Sequence, residues 1–237
     1  MGMTRRDKAP PLLCELHAHT TWSDGVCSVA RLVDIYGLCG FDVLAVTDHV
    51  LPRGAAPGVD EERFTQYLAE VDREADRALK LYGLLVVPGL ELTWNDLDPD
   101  RAAHAVAVGL REFVSMDDGF DAALVVARRF GAALIAAHPH DTPARRRTRR
   151  FFVEGNRLAP LVDRFELFNQ RELFHWVAAA GLPVVATGDF HRPEHLESWK
   201  TLLPCAKDER AVVQYLASPR PAYLVPIGPA VPAVLAA

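Results

Sequence analysis

The chain has 237 residues, 26 basic against 31 acidic side chains for a formal charge of −5, and a composition that is 50% hydrophobic. It is long enough to bury a sizeable core, and its acidic balance argues against a wholesale nucleic-acid binder, which carries net positive charge. No apolar run reaches the roughly 18 residues of a membrane span, and the basic stretch MGMTRRDKAPP has no apolar segment behind it, so a cytoplasmic chain without a secretory signal is the expectation. The four cysteines, Cys14, Cys27, Cys39 and Cys205, form no CxxC pair, which excludes zinc-ribbon and thioredoxin motifs and leaves buried free thiols.

Short apolar, β-branched runs at residues 12–16, 43–47, 84–92, 105–110, 132–137, 164–168 and 183–187 read as strands. Helical spacing fills most of the gaps. Residues 28–39 open with a Ser cap and place Val29, Leu32, Val33 and Tyr36 on one face; residues 61–81 carry Phe64, Tyr67, Leu68, Val71, Ala75, Ala78 and Leu79 in a stripe. Residues 117–130, 172–180 and 208–216 are similar, and residues 223–226 read as a closing strand. Strands alternating with helices imply parallel βαβ units, and about seven repeats suggest a closed barrel with its chemistry at the C-terminal strand ends. With no linker composition anywhere, residues 1–237 are expected to form one α/β domain.

Histidine and acidic residues recur where these strands end. The first strand runs into Glu15-Leu16-His17-Ala18-His19 with Asp24 in the following turn, and the second ends in Thr47-Asp48-His49. Glu91 lies in the third, His104 opens the fourth, His138-Pro139-His140 ends the fifth, and Gly188-Asp189-Phe190-His191 ends the last central strand. Residues two apart on a strand share a face, so His17 with His19, and Asp189 with His191, can each pinch one region. Gathered at one barrel mouth, such a cluster is costly without partners or metals. A nitrogen and oxygen donor set without thiolate suits zinc, manganese or iron.

These motifs, in this order, resemble the PHP (polymerase and histidinol phosphatase) family over residues 12–191. The resemblance implies a distorted (β/α)7 barrel that hydrolyses phosphate esters with two to three divalent metal ions. It places His17, His19 and Asp189 on one metal, Glu91 between two, His104 and His138 on the second, and Asp24, His49 and His191 on the third. The family commonly has Asp where Glu15 stands, a position expected to orient a ligand histidine. The implied chemistry is in-line attack on phosphorus by a metal-bridging hydroxide in a trinuclear site, so no side-chain nucleophile is named.

Substrate residues are less marked. The run Arg145, Arg146, Arg147, Arg149 and Arg150 could capture phosphate or simply form a solvated face, with Arg145 standing for the run. Arg171 near the end of the sixth strand and His140 beside His138 are further candidates, while His175 and His195 read as bland. Trp22 is either a pocket wall or core packing. Only 33 residues separate His104 from His138, too few for an inserted lid domain, which fits an open pocket and a small phosphomonoester. A phosphodiesterase or exonuclease on nucleic acid, and a non-catalytic scaffold module, are the alternatives. An amidohydrolase is disfavoured because those enzymes usually bridge metals with a modified lysine, and no lysine lies between Lys80 and Lys200. Oligomeric state is not legible, and no membrane partner is expected.

Overall fold

The computed structural model describes residues 10–144 and 147–228. In chain order these form β1 (Leu12–Glu15), α1 (Val29–Leu38), β2 (Val43–Val46), β3 (His49–Val50), α2 (Glu61–Tyr82), β4 (Leu85–Trp94), β5 (Ala103–Val108), α3 (Phe120–Arg129) and β6 (Ala133–Ala137). There follow α4 (Arg150–Val153), α5 (Gly155–Leu158), β7 (Arg164–Asn169), β8 (Glu172–Leu173), α6 (His175–Ala179), β9 (Val184–Thr187), β10 (Trp199–Leu203), α7 (Glu209–Leu216) and β11 (Tyr223–Pro226). Among these residues no helix is long and apolar enough to cross a membrane.

The helices start and stop where local chemistry dictates. Ser28 caps α1 by accepting the Arg31 N–H at 3.2 Å, and Asp60 caps α2 by accepting that of Arg63 at 2.9 Å. Gly83 ends α2 in the left-handed conformation, at φ 64°, which a side chain would disfavour. The buried stripe Phe64, Tyr67, Val71 and Ala78 turns α2 onto the sheet, each large apolar side chain contributing about 2 kcal/mol on burial. The Tyr67 hydroxyl lies within hydrogen-bond distance of the carbonyls of Val46 (3.0 Å) and Gly89 (2.9 Å), so the helix also fixes β2 against β4.

The strands join in the order β11-β10-β1-β2-β4-β5-β6-β7-β8, with β3 added to β4 and β9 to β7. The sheet is mixed and curled. β1–β2, β2–β4, β6–β7 and β7–β9 are parallel, whereas β4–β5 and β5–β6 are antiparallel. The curl brings the segment after β9 back to the segment after β1 at an isolated parallel bridge, Ala18 to Phe190.

The α/β class and every expected strand are present, but the regular βα repeat is not. Residues 95–102 joining β4 to β5 are too few for a parallel crossover, which takes about a dozen or more, so β5 returns antiparallel. Strands β3, β8 and β10 arise from pairing that the sequence pattern does not announce. Residues 172–180 split, because Glu172 and Leu173 fold back on β7 as β8 and delay the helix to His175. The helix expected from residue 117 starts at Phe120, after Gly119 at φ 93°.

Both faces of the sheet are buried, which explains the continuous apolar runs. Leu44 and Val46 pack outward under α1 and α2, while Val43 and Ala45 face the inside of the curl with Leu12, Val87, Val106 and Ile135. Val212, Tyr215 and Leu216 of α7 join this inner cluster and close one end of the curl. The other end carries the polar residues.

Candidate metal centre

The Ala18–Phe190 bridge sets the histidine motifs side by side. The His19 N–H donates to the Phe190 carbonyl at 2.8 Å and the Phe190 N–H to that of His17 at 3.1 Å. Ala18 and Phe190 are buried in the outer core, and the residues flanking each turn to the opposite side. His17 Nε2 therefore meets His19 Nε2 at 3.0 Å and Asp189 Oδ1 at 3.4 Å, and the rings of His19 and His191 stack at 4.2 Å. Because β5 runs antiparallel, its first residues reach the same end, and His104 stands beside Thr93 of β4. Parallel pairing places His49 beside Glu91.

In each of the six imidazoles one nitrogen is committed to the protein. His17 Nδ1 donates to Glu166 Oε1 at 2.8 Å, and His191 Nδ1 donates to the Asp189 carbonyl at 2.9 Å. His49 Nδ1 meets Thr93 Oγ1 at 2.7 Å; the Thr93 hydroxyl proton goes to the Glu91 carbonyl, so the ring is the donor. The same logic holds for His138 Nδ1 on Thr148 (3.1 Å), whose hydroxyl donates to the His138 carbonyl. It holds for His19 Nδ1 on Ser23 (3.4 Å), whose hydroxyl donates to Asp48. His104 is reversed: its Nε2 donates to Asn95 Oδ1 at 3.1 Å. The remaining nitrogens, Nδ1 of His104 and Nε2 of the other five, turn lone pairs into one volume.

Three carboxylates face those lone pairs. His104 Nδ1 and His138 Nε2 approach the same oxygen, Glu91 Oε1, at 3.1 and 3.2 Å. Asp24 Oδ1 lies 3.2 Å from His191 Nε2 and 3.5 Å from His49 Nε2. Glu91 Oε2 and Asp189 Oδ1 are buried without an aligned hydrogen-bond donor, although His49 Nδ1, whose proton is directed to Thr93, lies 2.7 Å from Glu91 Oε2. Lone pairs facing carboxylate oxygens repel unless a cation or proton lies between, so the donor set fits divalent metal ions. Among the described residues three overlapping groups have donor atoms within 4.8 Å of one another: His17, His19 and Asp189; His19, Asp24, His49 and His191; and His49, Glu91 and His104. The cluster is graded in depth, from unexposed Glu91 to Asp24, whose side chain is 41% exposed.

The field within the cluster is strong. Burial pushes the Glu91 carboxyl up, but His49, His17 and His104 outweigh it and hold it well below the usual carboxylate range. Asp189 is held down in the same way by His17 and His19. Burial lowers His49, yet Glu91 and Asp24 raise it to about 10, whereas burial and the neighbouring His49 drive His19 down to about 3. Backbone strain marks the same place. Among the described residues, those other than glycine with positive φ are His138 (30°), Asp189 (43°) and Gln170 (52°), and such conformations cost of order 1–3 kcal/mol each.

Several supporting residues lie outside the sequence reading. Glu166, fully buried on β7, accepts four hydrogen bonds, from His17 Nδ1 and Thr187 on one oxygen and from the His138 N–H and Asn169 on the other. A charged residue inside an apolar strand run is the signal that could have revealed it. Asp48 accepts from the Thr20 N–H, the Thr20 hydroxyl and Ser23, which shapes the loop between His19 and Asp24. Asn95, Thr93 and Thr148 carry no comparable signal. Glu15, expected to orient a ligand histidine, binds the backbone N–H of His17 at 3.2 Å, while Glu166 holds the His17 ring. His195, expected to be bland, accepts the His191 N–H at Nδ1 (3.2 Å).

Of the expected substrate residues, His140 stands beside His138, ring centroids 6.0 Å apart, with Nε2 3.6 Å from Glu172. Arg171 is exposed and paired with Glu197 at 3.4 Å, with no contact to the cluster. Arg145 and Arg146 lie outside the described residues. The rest of the run is taken up in ion pairs, Arg147 with Glu172, Arg149 with Asp100, and Arg150 with Asp121 and Glu154. Trp22 packs edge-on against Tyr67 and donates to Glu70 at 2.9 Å.

No protein-family model matches the chain. In sequence it is similar to the DNA polymerase/3'-5' exonuclease PolX of Bacillus subtilis (strain 168), at 32% identity over 87 residues, which is 35% of this chain and only 15% of that protein. In structure it is similar to a two-domain protein from Bacteroides vulgatus containing a predicted PHP-like metal-dependent phosphoesterase. The TM-score is 0.62 at 19% identity, covering 94% of this chain and 69% of that one. An amidohydrolase from Chromobacterium violaceum, with bound SO4 and no metal, is similar with a TM-score of 0.53 at 16% identity, covering 75% and 87%. The fold is similar to that of a structure containing a predicted PHP-like metal-dependent phosphoesterase, in keeping with the resemblance carried by the sequence motifs.

Proposed function

We propose that the chain is a metal-dependent phosphoesterase, a hydrolase of a small phosphomonoester, built as one domain on a distorted barrel. His17, His19, Asp24, His49, Glu91, His104, His138, Asp189 and His191 are its ligands for two to three divalent ions, with zinc, manganese and iron all suited to the donors. One observation carries this reading: six imidazoles each commit one nitrogen to a protein partner and turn the other toward carboxylates of which two keep an oxygen without an aligned donor. When bound, such ions polarise phosphoryl oxygens and make water acidic enough to attack at neutral pH.

The chain's own groups prepare that site. Glu166 keeps the His17 proton on Nδ1 and leaves Nε2 free, and Asn95 does the converse for His104. Asp24, His49 and His191 form the outer edge, where the leaving group of a monoester would emerge. We assign His140 to the phosphate or its leaving group, with Arg171 and Arg145 as further candidates for substrate binding. A second reading, a phosphodiesterase on nucleic acid, is favoured by the partial similarity to a protein named as a 3'-5' exonuclease.

Purified protein is assayed for metal content and for hydrolysis of p-nitrophenyl phosphate and bis-p-nitrophenyl phosphate, before and after chelation. Chelator-sensitive monoesterase activity restored by Mn²⁺ or Zn²⁺ is the expected result. Turnover of the diester alone promotes the second reading. No metal and no turnover after reconstitution overturns both.

A further inference from the structure

Lys200 on β10 is fully buried, and its ammonium pairs with the equally buried Glu15. Replacing such an ion pair with apolar residues is often neutral or stabilising, so bulk stability does not explain its presence. Its geometry offers another reason. Glu15 Oε1 accepts three backbone N–H groups from two segments, Leu16 (3.1 Å) and His17 (3.2 Å) after β1 and Gly188 (2.8 Å) after β9. Oε2 takes Lys200 together with the Tyr36 hydroxyl at 2.9 Å, and Lys200 also donates to Ser198 at 2.7 Å. One carboxylate therefore ties together the two segments of the chain that present His17 and Asp189.

Gly188 shows how closely the pair fits. A Cβ there would collide with both Lys200 Nζ and the Glu15 carboxylate. The pair fills the space under the turn, and the next residue, Asp189, is held at φ 43°. We propose that Lys200 and Glu15 are positioning residues that set Asp189 against His17 and so govern the ion these two and His19 would hold. The inference rests on the metal reading above. The other donors have separate supports: His49 leans on Thr93, His104 on Asn95 and His138 on Thr148.

The test uses the whole chain, Co²⁺ as probe, and the Lys200→Met variant. Lys200→Gln, neutral yet able to donate to Glu15, serves as the milder change. In Lys200→Met, affinity for one Co²⁺ equivalent should fall about 10- to 100-fold with a changed d–d spectrum, the remaining equivalents binding as in the unsubstituted chain. In the metal-free protein the Gly188 amide should exchange about tenfold faster while amides of β5 and β6 keep their protection. Lys200→Gln should recover part of both. Unchanged Co²⁺ binding and spectrum overturn the proposal, as does a uniform loss at every equivalent that merely tracks a lower melting temperature. An unsubstituted chain that takes up no Co²⁺ overturns the metal reading itself, and the Gly188 amide then reports separately whether the clamp exists.

Discussion

At the closed end of the curl, Arg164 is 1% exposed, and its guanidinium donates to the carbonyls of Leu216 (2.9 Å), Tyr215 (3.1 Å), Ser218 (2.8 Å) and Arg220 (2.7 Å). At the open end, Glu91 is buried as deeply and Asp189, 15% exposed, turns a buried oxygen inward, yet an oxygen of each has no aligned hydrogen-bond donor. Arg164 caps the last turn of α7 and the segment after it, so its charge is spent on holding the fold together. The open end holds charge that the protein does not satisfy by itself, together with strained backbone at His138 and Asp189. A buried charge surrounded by backbone acceptors points to architecture, and one left short of partners points to a ligand.

That contrast predicts opposite responses to substitution. The largest effect on activity should come from Asp189→Asn, which removes an orphaned ligand oxygen. Hydrolysis of p-nitrophenyl phosphate with Mn²⁺ should fall by more than the roughly 100-fold that loss of a supporting partner costs, while the metal-free melting temperature stays level or rises. Arg164→Met should do the reverse. It strands several buried carbonyls, costing about 3–5 kcal/mol in denaturant unfolding, with little change in turnover per folded molecule. A high turnover loss on Arg164→Met would erase the distinction between the two ends.

Glu166→Gln falls between them. Glu166 accepts at both oxygens, so an amide must turn a donor toward either His17 Nδ1–H and Thr187 or the His138 N–H and Asn169. Metal affinity, read by competitive chelation, should drop about 10- to 100-fold.

The effect of pH should separate metal-free from metal-loaded protein. His17, His49, His138 and His191 are raised in the folded chain despite burial, because carboxylates face them, His49 to about 10. Unfolded histidine titrates near about 6.5, so the folded state binds more protons above that pH. The stability from these groups is full below about 6.5 and is lost as pH rises through their folded values. His19, at about 3, is lowered by burial and His49; its contribution changes on the acid side and does not mask the alkaline loss. Melting temperature should fall between pH 6.5 and 10 without metal, and less with Mn²⁺ in place of the protons. The smallest effect is expected at Arg171, whose exposed pair with Glu197 is worth under about 1 kcal/mol. Arg171→Ala should leave the melting temperature unchanged and raise KM about threefold at constant kcat.

The sequence made the cluster legible through spacing. His17-Ala18-His19 and Asp189-Phe190-His191 each alternate about a small or aromatic core residue, and the structure sets these two tripeptides next to each other. It was less informative about what holds the rings. Glu166 carried a signal as a charge in an apolar strand, but Thr93, Thr148 and Asn95 are ordinary polar residues whose partners lie 9 to 44 positions away in the chain. How Glu15 reaches the ligand histidine was not legible, because its carboxylate acts on backbone amides, which no residue pattern records.

By itself, the sequence determined which segments alternate between strand and helix and which side chains carry metal-binding chemistry, because periodicity and donor type are local properties. Tertiary structure alone decided that β5 runs antiparallel, bringing His104 to the open end, and that a single bridge draws the segments after β1 and β9 together. Strand direction and sheet curl depend on connection length and on packing both faces of the sheet at once. The same packing leaves Glu91 and Asp189 short of partners, since an orphaned oxygen is defined by everything around it.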